Sequence, residues 1–170
     1  EGHLAVVQFL QAARGADAAR AELDKLIAAN SENAANAQIY QALRATLDFE
    51  AGKTTEAIAA TEATVKSAEP SDQTRRIKAM LARMLDATAN RVGARALVEE
   101  ILVEDPSNVD ALKQRAGWFI AEDKPGDAIV DLRAALGQAP RDPGILTLMA
   151  AARPCRCRVP SARRSATAGW

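Results

Sequence analysis

The sequence predicts an all-α protein built as an α-solenoid, a row of antiparallel helix pairs. Its composition gives the first indication, because aromatic residues make up only 4% of the 170-residue chain and alanine supplies much of the apolar content. The β-branched, aromatic-rich runs typical of strands are nearly absent. Such a chain is expected to pack helices closely through small side chains, and alanine is also the best helix former. The second indication is that the breaks in the helical pattern recur at a nearly regular distance.

Short and long breaks alternate and divide the chain into helices. Short breaks, each the length of a tight turn, fall at Gly15, Gly52, the Asn90/Gly93 region and Pro125-Gly126. Longer breaks fall at NSEN (30–33), EPSD (69–72), DPSN (105–108) and APRDP (139–143). The order helix, tight turn, helix, loop is therefore predicted four times, followed by one final helix over roughly residues 143–152.

An alanine follows each short turn and marks the period of the repeat. The alanines are Ala19, Ala57, Ala94 and Ala128, and their position numbers differ by 38, 37 and 34 in turn. A period in the thirties with two helices per unit is typical of solenoids, in which each pair buries its apolar side against the next pair. The predicted array covers residues 1–152, with units at about 1–33, 34–70, 71–105 and 106–140 and a partial unit at 141–152.

The fourth unit resembles the tetratricopeptide repeat. Its large, small and aromatic residues match that family's pattern at seven positions: Leu112, Ala116, Phe119, Ala128, Leu132, Ala135 and Pro140. The earlier units fit less closely, since Ile101 stands where a small residue is usual and Thr61 and Thr64 replace larger apolar groups. The chain looks like a degenerate array of this family, and the resemblance implies a right-handed superhelix with a concave groove lined by the first helix of each pair.

Two local expectations follow in the fourth unit. Pro106 is predicted to end a second helix, because proline lacks an N–H and restricts the residue before it, and Ser107 or Asn108 can then cap the next helix. Phe119 stands at the family's aromatic position and is expected in the core. Trp118 is expected to lie toward a neighbouring repeat or toward solvent.

Few residues in the sequence could carry chemistry. His3 is the only histidine and has no cysteine or carboxylate cluster near it. The two cysteines, Cys155 and Cys157, form a C-x-C pair that makes neither a disulfide framework nor a four-ligand zinc site. GKTT at 52–55 lacks the leading glycine and the preceding strand of a phosphate loop. We therefore expect no catalytic, cofactor or metal site, and a function in protein–protein interaction.

The resemblance also implies which side chains line the groove. Carried over by register, the expected partner-binding residues are Gln38, Gln41, Asp48, Arg75, Lys78, Asp110 and Lys113. Members of the family that bind chaperone tails hold a lysine at the places of Lys78 and Lys113 and an asparagine one turn later, where this chain has Ala82 and Gly117. A groove for some other extended or helical protein segment is therefore expected.

The charge distribution disfavours nucleic acid as a partner. Residues 153–170 contain five arginines and no acidic residue, so the rest of the chain carries 17 basic against 22 acidic residues. An acidic body lacks the positive field that drives binding to a phosphate backbone. An RNA-binding helical-repeat protein remains an alternative, as does an accessory domain of an enzyme whose catalytic part lies elsewhere. No run approaches the roughly 20 apolar residues of a membrane span.

The two ends of the sequence suggest a piece of a longer protein. The chain opens in what looks like mid-helix, without an initiating methionine or a signal segment. Its 16 arginines against 6 lysines fit a GC-rich bacterial genome, which leaves cytoplasm and envelope both open. Exposed apolar faces at uncapped solenoid ends are expected to favour self-association. The arginine-rich tail at 153–170 is expected to be disordered or loosely docked, with docking on the acidic body and a non-native reading frame as alternatives.

Overall fold

A computed structural model describes residues 2–152, with side chains from residue 5 onward, and contains nine α-helices and no strand in that range. The predicted all-α class is thereby confirmed. The predicted tail at 153–170 lies outside the described residues. The helices are α1 (Gly2–Arg14), α2 (Ala16–Ala29), α3 (Ala34–Glu50), α4 (Thr54–Ser67), α5 (Asp72–Ala87), α6 (Arg91–Glu104), α7 (Val109–Ala121), α8 (Pro125–Gln138) and α9 (Pro143–Ala151).

Polar side chains cap the helices that follow the longer loops. Ser71 Oγ accepts a hydrogen bond from the Thr74 N–H at 3.1 Å at the start of α5. Asn108 Oδ1 accepts one from the Ala111 N–H at 3.1 Å at the start of α7, so Asn108 rather than Ser107 is the cap there. Each of these bonds satisfies one of the backbone donors that a helix start leaves without a partner. The helix boundaries are thus set by residues local in sequence.

The packing order of the helices is that of a solenoid. Each odd-numbered helix packs against the even-numbered helix after it, and each even-numbered helix packs against the next odd-numbered one. We call these the first and second helices of each pair. The first helices α3, α5, α7 and α9 also contact one another in sequence, whereas α1 does not contact α3. Among the described residues the second helices do not contact each other. Each pair is joined to the next through its second helix and, from α3 onward, also through its first helix.

Every second helix buries the same stripe of three residues. The stripe starts at the alanine after the short turn and continues four and seven residues later, so its members lie on one helix face. We call it the second-helix stripe, and all its members are buried: Ala19, Leu23 and Leu26 in α2, Ala57, Thr61 and Thr64 in α4, Ala94, Val98 and Ile101 in α6, and Ala128, Leu132 and Ala135 in α8. The leading alanine lets the two helices of a pair approach closely.

The aromatic pair in α7 differs from the prediction. Trp118 is the more deeply buried residue, at 7% exposed, and the Arg95 guanidinium of α6 lies 5.4 Å from the centroid of its ring. Phe119 is half-buried at the edge of the core. The expectation that Phe119 rather than Trp118 would be the core residue was wrong, whereas Trp118 does lie against a neighbouring repeat, through Arg95. Trp118 occupies the place that Met84 holds one repeat earlier, and Met84 is buried as well.

Candidate functional site

The first helices present a shared face on which ion pairs join neighbouring repeats. Arg83 Nη2 of α5 lies 2.7 Å from Asp110 Oδ1 of α7. Lys113 Nζ of α7 lies 2.8 Å from Asp142 Oδ2, at the cap of α9. Gly117 lies one turn beyond Lys113, and a Cβ built on it meets nothing within 4 Å. The centre of this face is therefore open, with charged groups beside it.

We call this surface the first-helix face and define it by six residues, three from each of two helices. Spacings of three, four and seven residues place side chains on one side of a helix. The members are Arg76, Met80 and Arg83 of α5 and Asp110, Lys113 and Gly117 of α7. Asp110 and Lys113 are among the residues expected in the groove, whereas Arg76, Met80 and Arg83 were not among them.

The Lys113–Asp142 pair is reinforced from a second direction. The hydrogen bond from Lys113 lowers the pKa of the Asp142 carboxyl below its usual value, against the opposing effect of burial. The N–H groups of Ile145 and Gly144 lower it further, because the start of α9 presents unpaired backbone donors. Asp142 thus caps α9 and ties it to α7 at the same time.

Lys78 does not lie on the first-helix face. It is only 8% exposed, and its ammonium group donates to Glu100 at 2.7 Å and to Glu104 at 2.9 Å, both on α6. Burial alone lowers the pKa of Lys78, but the hydrogen bonds to these two carboxylates outweigh it and leave the pKa above its ordinary value. The lysine is therefore engaged inside its own helix pair, which differs from its expected place in the groove.

The reason is the register of the repeat. Lys78 lies one repeat before Leu112, the large apolar residue of the next first helix, and takes that buried place. Arg75 is likewise engaged within its own helix pair, since it forms ion pairs with Asp72 and, at 3.6 Å, with Glu104. A one-residue shift in register rotates a helical side chain by about 100°, since a turn holds about 3.6 residues. Ala82 and Ala116 hold equivalent places and are both buried, and this match was the signal in the sequence that could have fixed the register.

The expected residues on α3 lie on another side of the stack. Gln38 Nε2 donates to the Ser67 carbonyl oxygen at the end of α4, at 3.4 Å. Gln41 and Asp48 line a cavity of about 770 Å³ between the second helices α2 and α4. We call this cavity the α2–α4 cleft. Six of the seven expected residues are thus divided in twos among the first-helix face, the α5–α6 pair and this cleft, whereas Gln38 bonds to the end of α4 and does not line the cleft.

The cleft exists because small residues replace an ion-pair cluster. Gln41 lies one repeat before Lys78, and Ala63 and Ser67 lie one repeat before Glu100 and Glu104. The side chains that fill the α5–α6 pair are therefore shorter or absent in the α3–α4 pair, and open space remains.

Asp48 is the electrostatic centre of the cleft. Its carboxylate lies 3.0 Å from Arg20 Nε and 3.7 Å from both Arg44 Nη1 and Lys53 Nζ. Arg44 in turn lies 2.6 Å from Asp24 Oδ1 of α2. Since each cation already has a carboxylate beside it, the cleft offers no concentrated charge of one sign.

Within residues 2–152 these surfaces present charged, polar and apolar side chains that can contact another molecule. In this range no three His, Cys, Asp or Glu side chains come together in a group that could hold a metal ion. None of the described helices combines the length and apolar character needed to cross a membrane. The groups available on the first-helix face are two ion-paired cations, one arginine for which no ion pair is found among the described residues, a methionine and an open glycine.

The order of helix contacts defines a helical-repeat protein. No protein-family model matches the sequence, and no curated protein matches it either. The structure is similar to the crystal structure of a tetratricopeptide repeat protein from Parabacteroides merdae ATCC 43184, with a TM-score of 0.59 and 16% sequence identity. The match covers 89% of this chain and 57% of that one. The described helices therefore have the tetratricopeptide-repeat fold, as the sequence predicted.

Proposed function

We propose that this chain is a non-catalytic scaffold that binds an extended or helical segment of a partner protein along the first-helix face. The observation that carries the proposal is the open centre of that face at Gly117, where side chains of a partner can approach the backbone of α7. Met80 of α5 and Ile120 of α7 are both half-buried and can add apolar contact surface.

The charges of the face favour a partner segment that carries a carboxylate. Arg83 and Lys113 already have acidic partners at 2.7 and 2.8 Å. Arg76 is exposed, and no ion pair to it is found among the described residues. An acidic side chain of the partner could form an ion pair with Arg76 without breaking an existing one. A rim charge of this kind is expected to act chiefly on the association rate and on the salt dependence of binding.

A pair of glycine substitutions tests where the partner binds. The intact chain captures its partner, mass spectrometry identifies it, and the affinity is then measured for Gly117→Leu and for Gly137→Leu. Both glycines are helical and have nothing within 4 Å of a built Cβ, but Gly137 lies on a second helix. We expect Gly117→Leu to weaken binding by roughly tenfold or more, about 1.4 kcal/mol, and Gly137→Leu to leave it unchanged.

This substitution separates binding from folding. Replacing a mid-helix glycine with a good helix former stabilises a helix by roughly 0.5–1 kcal/mol, so Gly117→Leu should bind worse while being no less stable. Arg76→Glu is tested against Arg133→Glu, an exposed arginine of α8 with the same charge change. Equal affinity of Gly117→Leu and wild type would show that the partner does not bind on the first-helix face.

We also propose that copies of the chain associate through the ends of the stack. Val6 and Phe9 of α1 and Leu146 of α9 are large apolar residues left exposed at the two ends. Exposed apolar surface at the ends of a solenoid favours association. Sedimentation velocity over a concentration series should show assemblies larger than the monomer, and a monomer at every concentration would contradict the proposal.

A further inference from the structure

The outer face of α1 carries the residue pattern of a second helix. Ala5, Phe9 and Ala12 are spaced by four and seven residues, and all three are exposed, Phe9 at 66%. The second-helix stripe of α8 has the same spacing and the same small–large–small order, and it is completely buried. The opposite face of α1, through Val7 and Leu10, packs against the core of its own pair. The stripe that each second helix buries is therefore exposed on α1.

The other end of the described stack lacks a second helix. Leu146 of α9 lies one repeat after Leu112 of α7, which is 2% exposed beneath α8. Ile145 is fully buried like Ala111, its equivalent in α7, so α9 docks onto the stack as a first helix does. Leu146 is nevertheless 51% exposed, because no second helix follows α9 within residues 2–152.

The helices at the two ends are both poor in charged residues. α9 contains no charged residue, and neither does α1 between Ala5 and Ala13, whereas each of the seven helices between them contains several. Depletion of charged residues marks the buried centre of protein interfaces. The two helices at the ends of the described stack therefore have the composition of surfaces that are covered in an assembly.

We infer that α1 of one copy packs on α9 of a second copy, in the position that a second helix holds in the other pairs of the described stack. The exposed stripe of α1 would cover Leu146, which holds the place of the buried Leu112. The contact is heterologous, since it joins two different surfaces, and it therefore extends into a ring or a filament rather than closing as a symmetric pair. The inference rests on the proposed association through the ends and specifies which faces meet.

Two charge substitutions in the full chain test the pairing. Phe9→Glu disables the α1 surface and Leu146→Glu disables the α9 surface, and either one should weaken association by roughly 30-fold or more if these side chains lie at the centre of the interface. An equimolar mixture of the two variants retains one intact pair of surfaces, namely α1 of the Leu146→Glu chain and α9 of the Phe9→Glu chain. In sedimentation velocity each variant alone should be monomeric, and the mixture should form dimers that grow no further.

The control is Val103→Glu, a change at an 82% exposed valine in the middle of the array, on α6. It should assemble like wild type, and circular dichroism should show equal helicity for all variants. If Phe9→Glu is monomeric while Leu146→Glu still assembles, α1 pairs with α1, and the inference is overturned although association through the ends stands. A mixture that stays monomeric also overturns it. A wild-type chain that is monomeric throughout refutes both the inference and the proposed association.

Discussion

Leu112 and Leu146 occupy equivalent places in successive first helices, and the structure predicts that truncating them has different costs. Leu112 is 2% exposed beneath α8, whereas Leu146 is 51% exposed at the end of the stack. The perturbation is leucine to alanine at each position, made separately. Because the chemical change is the same in both, the difference between the two measured losses of unfolding free energy reports how much burial under a second helix contributes.

The magnitudes follow from burial. The change removes three carbon atoms, one methine and two methyls, worth ~0.8 kcal/mol each when fully buried, or ~2.4 kcal/mol for Leu112. The cavity left in a packed interior raises such costs to roughly 2.7–5 kcal/mol. For Leu146 about half of the transfer free energy applies, roughly 1.2 kcal/mol, and solvent fills the space. We expect Leu112→Ala to cost at least ~1.5 kcal/mol more than Leu146→Ala.

Urea unfolding followed by circular dichroism measures both values, at protein concentrations low enough that the chain is monomeric. Repeat arrays can depart from two-state unfolding, so the denaturant dependence of each variant is compared with wild type before the free energies are used. Equal costs for the two substitutions would refute the reasoning, because they would mean that Leu146 is as well covered as Leu112 in the single chain.

Two further predictions concern packing and pH. Ala128→Leu should overpack the α7–α8 contact and destabilise by roughly 1–3 kcal/mol, whereas Ala134→Leu, at an exposed position of the same helix, should have little effect; equal melting temperatures for the two would show that Ala128 is not at the close contact. Hydrogen bonding from Lys78 lowers the pKa of Glu104. The stability contributed by this carboxylate, at most about 1 kcal/mol because Glu104 itself is exposed to solvent, is therefore present above the unfolded glutamate value of about 4.3 and is lost as pH falls through the lowered folded pKa. The difference in unfolding free energy between wild type and Glu104→Gln should shrink over that acidic range, and a difference independent of pH would contradict the assignment.

Helix boundaries and the pairing of helices could be predicted from the sequence because they depend on neighbouring residues. The breaks predicted at Gly15 and Gly52 lie between helices of the structure, and both glycines adopt positive φ, 88° and 91°. Ala89 and Asp123 also have positive φ, 63° and 57°, in the two later turns, and neither residue type signals it as clearly as glycine does. The break predicted at Pro125-Gly126 was misplaced, since these are the first two residues of α8. The period of the alanines then predicted the stacking of pairs, since each pair is too small to bury its own apolar side.

The side of the helix on which each polar residue lies could not be predicted with the same certainty. The separation of Lys78 and Lys113 exceeds the repeat length at this point by a single residue, so one lies in the interior and the other on the first-helix face. The α2–α4 cleft depends on what three helices leave unfilled, and no single segment encodes it.

The sequence by itself determined that the described chain is a row of α-helical pairs, because helix propensity, capping and proline placement act within a few residues. Only the tertiary structure decided which charges are buried, which face of the stack is open and that the helices at its ends expose apolar stripes. These properties depend on how closely neighbouring helices approach and on the rotation of each about its axis, where a change of one residue moves a side chain by about 100°.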